Sequence, residues 1–409
     1  MPFLASIKRK LKRVPLIRDL AARVHAATLR RQLASLRESF HSAARANGVK
    51  YFEREVIDSV RGGLRSRGAV KGPKPRGSLR IFWAGTSEAQ DRSGFLQSLQ
   101  KFGNVTAMTG AGGAHGFVSA PPKDPSILLD DDLRKVNSRM LLEQVEGESS
   151  VGKLDVLMGQ MWANYISPEA LRTIQAWGIA TINVSMDDML PEHWRTVRGV
   201  ELGSIGLRSG LDLVLTTTRE SCLWYAVRHC PAIYWPLASD PSHFPGDPEG
   251  VRDLDIVFVG SRYGIRDRIV GALAGAGLKV DAFGPGWANG PVSADETTRL
   301  FARAKIVLGV GTVGHTDDVY TIKLRDFDAP MSGALYLTHR NPELLQLFRE
   351  GDEIVCYDSP DEAVAQAHRL LADSGLRVRV AKAGSSRARR DHTWEGRFAN
   401  LFRTLDLLD

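Results

Sequence analysis

Apolar and polar positions follow a regular pattern along most of this chain. Between Leu79 and Asp240, short apolar runs typical of buried strands alternate with stretches of helical periodicity. After a break near residues 240–254 the same alternation restarts and continues to the end of the chain. Strands that alternate with helices of about 10–15 residues indicate βαβ units and parallel sheets. The pattern therefore predicts an α/β protein with two doubly wound, Rossmann-like domains that face each other across a cleft.

The predicted elements of the first half are bounded by clear stop and start signals. The helix over 167–178, for example, begins with a capping Ser and a Pro and ends at Gly178. Residues 110–125, rich in Gly, Ala and Pro, are predicted to form a loop. The predicted strands are 79–85, 154–159, 179–188, 211–218 and 232–240, and the other predicted helices are 93–103 and 219–228.

The second half repeats this organisation. Its predicted strands are 255–261, 278–286, 305–311, 334–338 and 353–357. Its predicted helices are 266–277, 293–304, 359–373, 376–389 and 393–408. In a doubly wound sheet ligands bind beyond the carboxyl ends of the strands, so the loops that follow these strands are the places where we expect a site.

The first 60 residues are predicted to be helical, amphipathic and basic, and Pro15 should stop or kink the first helix near Val14. Residues 61–78, rich in Gly, Pro and basic side chains, are predicted to be a linker. A basic amphipathic helix can bind an anionic membrane surface, here through residues 1–31. Two other interpretations stay open: a solvated extension that packs on the body or on a second copy, and an organelle transit peptide.

Charge is distributed unevenly over the 409 residues. Up to Gly77 there are 19 Lys and Arg against 5 Asp and Glu, a net charge of +14, which leaves 35 against 42, or −7, for the remainder. A mildly acidic body argues against nucleic-acid binding there. The three cysteines form neither a metal-ligand spacing nor an even disulfide framework, and no apolar run approaches the roughly 20 residues of a membrane span. We expect a cytoplasmic protein, at most peripheral at the inner membrane face.

Two loops of the second half could hold an anion. The first runs from Gly260 to Arg266, where a strand ends and a helix begins, so that free N–H groups together with Arg262 and Arg266 could clamp a phosphate. An ordinary strand–helix turn with surface arginines would have the same sequence pattern. The second, Gly309–Gly314, includes Gly311 and lacks the Lys-Ser/Thr of a P-loop, so it suits a structural loop as well as a ligand loop.

The segment 323–343 concentrates charges at the head of a helix–turn–strand unit. Lys323 and Arg325 are cations that could contact a diphosphate, and Asp328 could accept hydrogen bonds from a vicinal diol. Alternatively, Asp328 could form an ion pair with either cation, or could interact favourably with the helix dipole at the N-terminus of its helix.

Three further residues are candidates for acid–base roles. Asp187 and Asp188 end a predicted buried strand, although Asp is equally common in turns and helix caps. His315 follows the Gly-rich loop in a polar segment that also contains Asp317 and Asp318. No histidine has the spacing of a metal site, so we predict no metal.

Taken together, these motifs resemble the donor domain of the glycosyltransferase group-1 superfamily, in its CgeB/YkvP spore-maturation-type branch. The resemblance covers about 255–400 well and 79–250 only in strand order. The matching segments are 255–266, 283–287, 305–311, 323–338, 341–344, 353–364 and 391–398.

The resemblance implies a GT-B fold with a nucleotide-sugar bound mainly by the second domain, with no cofactor and no metal. It implies an enzyme that transfers a sugar from a nucleoside diphosphate to a cell-surface glycan, a lipid-linked acceptor or a protein, with retention of configuration. Gly260, Arg262, Arg266, Gly311, Lys323, Arg325 and Asp328 are the implied donor-site residues. The implied domains are a basic extension and linker (1–77), an acceptor domain (78–245), a donor domain (246–390) and a C-terminal helix that packs back on the acceptor domain (391–409).

The chain departs from the family pattern at its paired acids. Asp328 takes the place of the second Glu of the E-x7-E motif, and Tyr320 stands where the first Glu would be. Asp317 and Asp318 are the nearest carboxylates that could replace it. Two alternatives therefore stay open: a non-catalytic binding or assembly protein on the same scaffold, and an epimerase that uses a nucleotide-sugar without an acceptor.

Overall fold

The structure, a computed structural model, describes residues 15–118 and 128–409, with side chains described from residue 20 onward. The predicted stop near Val14 lies outside these residues. Two parallel sheets, each covered by helices on both faces, form the body of the protein. They confirm the prediction of two doubly wound α/β units.

The first sheet has six parallel strands in the order β2-β1-β3-β4-β7-β8. The strands are β1 (Leu79–Ala84), β2 (Gly103–Ala107), β3 (Val156–Gly159), β4 (Ala180–Ser185), β7 (Leu213–Thr216) and β8 (Ala232–Tyr234). A two-stranded hairpin, β5 (Thr196–Val197) and β6 (Val200–Glu201), lies outside the sheet. Strands β1, β3, β4 and β7 are almost wholly buried, and in β3 and β7 nearly every residue is apolar.

Besides the hairpin of β5 and β6, a strand and a long helix of this first unit were not predicted. Strand β2 was missed because its sequence is short, polar and only half-buried at the sheet edge. Gly103, expected to end a helix, is instead its first residue, and a Cβ there would fall 1.8 Å from the carbonyl oxygen of Leu79. A 21-residue helix (Asp131–Val151) was also missed, although Asp130 caps it by accepting hydrogen bonds from two backbone N–H groups, each at 3.1 Å.

The helices before β9 are α1 (Pro15–Ala46), α2 (Glu53–Ser66), α3 (Leu96–Gln100), α4 (Asp131–Val151), α5 (Pro168–Ala176) and α6 (Ser221–Val227). A short helical turn (Glu88–Gln90) and a wider turn (Asp91–Phe95) precede α3, so the predicted helix over 93–103 is shorter than expected. Helix α2 corrects the linker prediction, because residues 61–66 are helical despite Gly62 and Gly63.

The second sheet has five parallel strands in the order β10-β9-β11-β12-β13. Its strands are β9 (Leu254–Val259), β10 (Val280–Phe283), β11 (Ala304–Leu308), β12 (Leu335–His339) and β13 (Val355–Tyr357). Its helices are α7 (Arg266–Gly275), α8 (Ala294–Arg303), α9 (Arg325–Met331), α10 (Pro360–Ala372), α11 (Ser374–Asp391) and α12 (Trp394–Thr404). All of these elements were predicted to within a few residues.

The last helix, α12, contacts the first unit through aromatic side chains. The Phe398 ring lies 5.0 Å from Phe95, and Phe402 lies 5.5 Å from Phe102. Trp394 lies 5.5 Å from Trp235, in the segment that leads from the first sheet to the second. These buried aromatic contacts tie the end of the chain to its first α/β unit.

Helix α1 crosses from one unit to the other. Its buried face includes Leu29, Leu33 and Phe40, which pack in one cluster with residues of both units: Met189 and Trp224 of the first, and Val313 and Val319 of the second. The apolar face of α1 is therefore covered by the protein from residue 26 onward. A membrane contact through the apolar face of residues 26–31 is not compatible with this packing, and residues 1–14 lie outside the described chain.

Candidate functional site

The loops at the carboxyl ends of the two sheets meet. The backbone N–H of Arg219, after β7, donates a hydrogen bond of 2.9 Å to Oε1 of Glu343, after β12. Asp187, after β4, is close enough to raise the pKa of Lys323, after β11, against a stronger lowering by burial. The cleft predicted between the sheets is thus lined by the loops in which ligands bind in this kind of fold.

Three cations converge on the second unit's side of this cleft: Arg266, Lys323 and Arg325. The guanidinium of Arg325 lies 4.7 Å from the centre of the Phe258 ring, and that of Arg266 lies 5.8 Å from the same ring. Between them Gly260 leaves room, since a Cβ there would lie 3.2 Å from one guanidinium and 3.4 Å from the other. Gly260 also has a φ of +153°, which few other residues adopt.

The nearby carboxylates of Asp187, Asp326 and Asp328 interact with these cations electrostatically but form no ion pair with them. Arg325 donates to the carbonyl of Val259 at 2.6 Å and Arg266 to that of Ser261 at 3.0 Å, but Nε of each arginine is buried without a partner. Burial, followed by repulsion from Arg325, lowers the pKa of Arg266 to about 10. Within residues 20–118 and 128–409, none of the three cations forms an ion pair. Such a group is suited to bind an anion with several oxygens.

Asp326 holds this arrangement in place. Its carboxylate accepts a hydrogen bond of 2.7 Å from the backbone N–H of Lys323 and one of 2.5 Å from the Tyr336 hydroxyl. The side chain is buried, and burial raises its pKa. Because both oxygens are already used, Asp326 fixes the start of α9 and with it the positions of Lys323 and Arg325.

Asp328, two residues further along α9, has a carboxyl oxygen without a hydrogen-bond partner. It is 7% exposed, and its Oδ1 is buried without a hydrogen-bond partner. Burial raises its pKa to about 8, while Ser239 and Arg325 nearby act in the opposite direction. At neutral pH the group is therefore largely protonated and can both donate a hydrogen bond to a hydroxyl and accept one from it.

Arg262 is separate from these cations. Its Nε donates to Oδ1 of Asp267 at 2.9 Å, and its guanidinium lies 5.3 Å from the centre of the Trp287 ring. Trp287 in turn donates to the carbonyl of Gly260 at 2.8 Å. The structure thus does not bring Arg262 and Arg266 together as one clamp, and Arg262 lines a cavity on the side of helix α1.

The glycines of the loop 309–314 serve mainly to pack neighbouring chain segments. A Cβ on Gly309 would lie 2.2 Å from the Tyr336 hydroxyl, and a Cβ on Gly314 would lie 3.1 Å from Cε1 of His25. Gly311 differs, because the nearest atom to its Cβ position, the carbonyl of Thr321, is 3.9 Å away. Only at Gly311, among these three, does the space suit the close approach of a ligand.

His315 and the two aspartates after it face helix α1. The His315 ring packs edge-on against His25 at 5.6 Å, and burial, then His25, lowers its pKa. Arg30 of α1 forms ion pairs with both Asp317 and Asp318, the second at 2.7 Å. These carboxylates hold α1 in place and do not substitute for the acid that Tyr320 replaces.

Asp187 and Asp188 have different surroundings. Asp188 is 2% exposed and accepts hydrogen bonds from three hydroxyls, at 2.7 Å from Ser185, 2.5 Å from Thr216 and 2.8 Å from Tyr225. Burial raises its pKa. Contrary to the prediction of a catalytic role, Asp188 is a structural carboxylate that joins β4, β7 and α6. Asp187 is half-buried and faces Lys323, so it remains a candidate.

A buried pair of side chains at the same edge of the first sheet was not foreseen. Nε2 of His115 lies 2.7 Å from Oδ2 of Asp91, which also accepts a hydrogen bond of 2.8 Å from Trp83. A Cβ on Gly85 would fall 1.9 Å from that oxygen, so glycine is required at the end of β1. The two residues follow β1 and β2. Loops after neighbouring parallel strands meet at the same edge of a sheet, so their proximity could have been inferred if β2 had been predicted.

The described part of the chain has neither a cluster of metal ligands nor a membrane-spanning helix. No group of three or more His, Cys, Asp or Glu side chains there is arranged to hold a metal ion. No helix there has both the length and the apolar character that a bilayer crossing requires.

Comparisons with known proteins agree with this geometry. Residues 262–403 match the family model described as "Glycosyl transferase-like". No protein with a curated function matches the chain in sequence.

Several solved structures share the fold. A sucrose-phosphate synthase from Thermosynechococcus elongatus is 10% identical, with a TM-score of 0.54 over 80% of this chain and 99% of its own. Anabaena HepE, solved in complex with UDP and glucose, is 12% identical, with a TM-score of 0.53 over 81% and 100%. A glycosyltransferase involved in avilamycin A biosynthesis is 17% identical, with a TM-score of 0.52 over 80% and 97%. The chain thus has the GT-B fold, and its residues 262–403 carry a glycosyltransferase-like domain.

Proposed function

We propose that the protein transfers a sugar from a nucleoside diphosphate sugar to a glycan, a lipid-linked acceptor or a protein. The observation that carries the proposal is the group of three cations, Arg266, Lys323 and Arg325, at the carboxyl edge of the second sheet, which form no ion pair with any side chain that the structure describes. HepE, which shares the fold, is described in complex with UDP and glucose and with UDP-glucose. A diphosphate is the anion that these cations would fit.

The chemistry follows from where charge develops. When the bond between the anomeric carbon and the diphosphate oxygen breaks, that oxygen gains negative charge. Cations that are fixed in place before the reaction stabilise the transition state, in which this charge develops, more than they stabilise the bound ground state. This difference lowers the barrier. Asp326 fixes the positions of Lys323 and Arg325 at the start of α9, and Gly260 leaves space for the guanidiniums of Arg266 and Arg325. The leaving group is thereby handled by side chains, and the proposal includes no metal.

Asp328 and Asp187 have separate roles in the proposal. The unpartnered oxygen of Asp328 would bind hydroxyls of the nucleoside sugar, as the resemblance to the E-x7-E acid implies. Asp187, across the cleft and half-buried, is the candidate to interact with the acceptor hydroxyl or the transferred sugar. Retention of anomeric configuration is part of the proposal and rests on the resemblance alone.

A second function, nucleotide-sugar binding without turnover, is favoured by one observation. Tyr320 takes the place of the first acid, and its hydroxyl donates to the backbone of Asp317 at 2.9 Å, while Asp317 and Asp318 are engaged by Arg30. No carboxylate from this segment is thus free to contact the sugar.

Release of free sugar separates the two functions. The protein would be incubated with UDP-, GDP-, ADP- and CMP-sugars, and nucleotide and sugar release followed by chromatography. We expect slow hydrolysis of one donor, and loss of that activity in the R266Q/R325Q double variant. R299Q is the matched control, because Arg299 is an exposed arginine of α8 paired with Glu296. Binding of a donor with no release by the wild-type protein would favour the non-catalytic function.

A further inference from the structure

A cavity of about 860 Å³ lies between helix α1 and the start of helix α7. This volume is within the range of small-molecule sites. Its floor is made of small or apolar residues, which leave the space open. The lining residues are Ala22, Arg23, Ala26, Arg30, Arg262, Gly264, Ile265, Asp267, Arg268, Gly271, His315 and Asp317.

The cavity has an excess of positive charge. Among the side chains that the structure describes, four arginines and two aspartates line it, a net charge of +2. Arg262 is paired with Asp267, and Arg30 with Asp317. The other two, Arg23 and Arg268, form no ion pair with any side chain that the structure describes. The uncompensated charge therefore comes from one arginine on each wall, α1 and α7.

The wall formed by α1 is firmly attached to both units. Arg37 donates to Glu220 of the first unit at 2.9 Å, and Arg30 pairs with Asp317 and Asp318 of the second. The Phe40 ring stacks on Trp224 at 5.4 Å with an interplanar angle of 8°. The cavity is thus built by the folded chain, and the basic N-terminal extension contributes one side of it.

The cavity is next to the three cations but does not include them. Arg266 and Arg325 turn toward Phe258, whereas Arg262 turns toward Trp287 and the cavity. Neither Lys323 nor Arg325 is among the residues that line it. A ligand in the cavity would therefore lie beside a diphosphate held by the three cations and would not compete for the same arginines.

We propose that this cavity binds the phosphoryl group of a phosphorylated acceptor, with Arg23 and Arg268 as its ligands. The assignment to an acceptor rests on the proposed glycosyl transfer, whereas the anion site itself does not. Two arginines on opposite walls can each donate two hydrogen bonds to phosphate oxygens, a geometry that a lysine could not provide. The phosphoryl group could belong to a soluble sugar phosphate or to a lipid phosphate.

Inorganic pyrophosphate tests the site without knowledge of the acceptor. Isothermal titration of the full-length protein should show two binding sites. R23Q/R268Q should lose one of them, or weaken it at least about tenfold for each arginine removed. R266Q/R325Q should lose the other, and R31Q, an exposed arginine of α1 that does not line the cavity, should keep both.

The outcomes separate this inference from the proposed function. Unchanged pyrophosphate binding in R23Q/R268Q would overturn the cavity site. Loss of one site in R23Q/R268Q, with no loss in R266Q/R325Q, would keep the cavity site and remove the donor site.

Competition then identifies the source of the phosphoryl group. Displacement of pyrophosphate from the R266Q/R325Q variant by glucose 1-phosphate would indicate a soluble acceptor. Displacement by phosphatidylcholine vesicles that contain phosphatidic acid, but not by pure phosphatidylcholine vesicles, would indicate a lipid phosphate. If neither competes, the assignment to a phosphorylated acceptor is overturned.

Discussion

Replacing Asp328 by Asn should stabilise the protein while it impairs nucleotide binding. The carboxyl group is 7% exposed, has an unpartnered oxygen, and its pKa is raised by burial to about 8, from an ordinary value of 3.8. The folded state therefore keeps a proton on Asp328 between about pH 4 and pH 8, where the unfolded chain has released it. In that interval the folded state binds more protons, so its stability falls as the pH rises.

The size of the effect follows from the same shift. A difference of about four pKa units, at 1.36 kcal/mol each, sets an upper limit of about 6 kcal/mol for the free energy of unfolding that the wild-type protein loses between pH 4 and pH 8. Asn has nearly the same shape and does not titrate, so the variant avoids this loss. The stability of D328N relative to the wild type should thus be smallest at pH 4 and should increase up to pH 8.

Thermal unfolding at a series of pH values measures this difference. Burial also raises the pKa of other carboxyl groups, such as Asp91 and Asp188. Their contributions to the pH dependence of stability cancel when the variant is compared with the wild type at each pH. D295N, at an exposed position on α8, is the control and should give no trend with pH. A D328N protein that is less stable than the wild type at pH 8, or whose relative stability does not change with pH, would refute the burial and protonation assigned to Asp328.

Three other substitutions test separate parts of the structure. F40A should destabilise the protein by about 3–5 kcal/mol, since it removes a buried ring stacked on Trp224; an unchanged melting temperature would show that α1 is not docked. D188A should cost about 3–5 kcal/mol at neutral pH, because three buried hydroxyls lose their acceptor; a stable D188A without activity would instead restore a catalytic role. G260A should lower the free energy of unfolding by about 1–3 kcal/mol, because alanine disfavours a φ of +153°, and should weaken nucleotide binding at least about tenfold, because the new methyl group would displace two guanidiniums; normal nucleotide affinity would mean that their positions do not matter.

The sequence predicted the fold where its strands are buried on both faces. Strands such as β3 and β7 are wholly buried runs in which nearly every residue is apolar, and helices such as α10 begin with a capping Ser whose hydroxyl accepts a backbone hydrogen bond. Strand β2 was not predicted because it is a half-buried edge strand whose sequence is not a buried apolar run. Helix α2 was obscured by Gly62 and Gly63, two residues that the helix tolerates at positions where a Cβ would meet no other atom.

The sequence predicted which residues belong to the site more accurately than how those residues are arranged. Arg266, Lys323 and Arg325 do lie together at the expected sheet edge. The pattern could not show that Arg262 turns away toward Asp267, or that Asp188 is surrounded by hydroxyls while its neighbour Asp187 faces the cleft. Those outcomes depend on contacts between residues far apart in the chain, such as Tyr225 with Asp188, which no local pattern contains.

The most direct test of the central claim is a thermal-shift screen of the wild-type protein and R266Q/R325Q against UDP, GDP, ADP and CMP. A ligand that binds only the folded state stabilises it by RT ln(1 + c/Kd) at a free ligand concentration c, so the melting temperature rises with the concentration and the affinity of the ligand. We predict that one nucleoside diphosphate stabilises the wild-type protein and R299Q but not R266Q/R325Q. Equal stabilisation of the double variant, or no stabilisation of the wild type by any of these nucleotides, would contradict a diphosphate site at these cations.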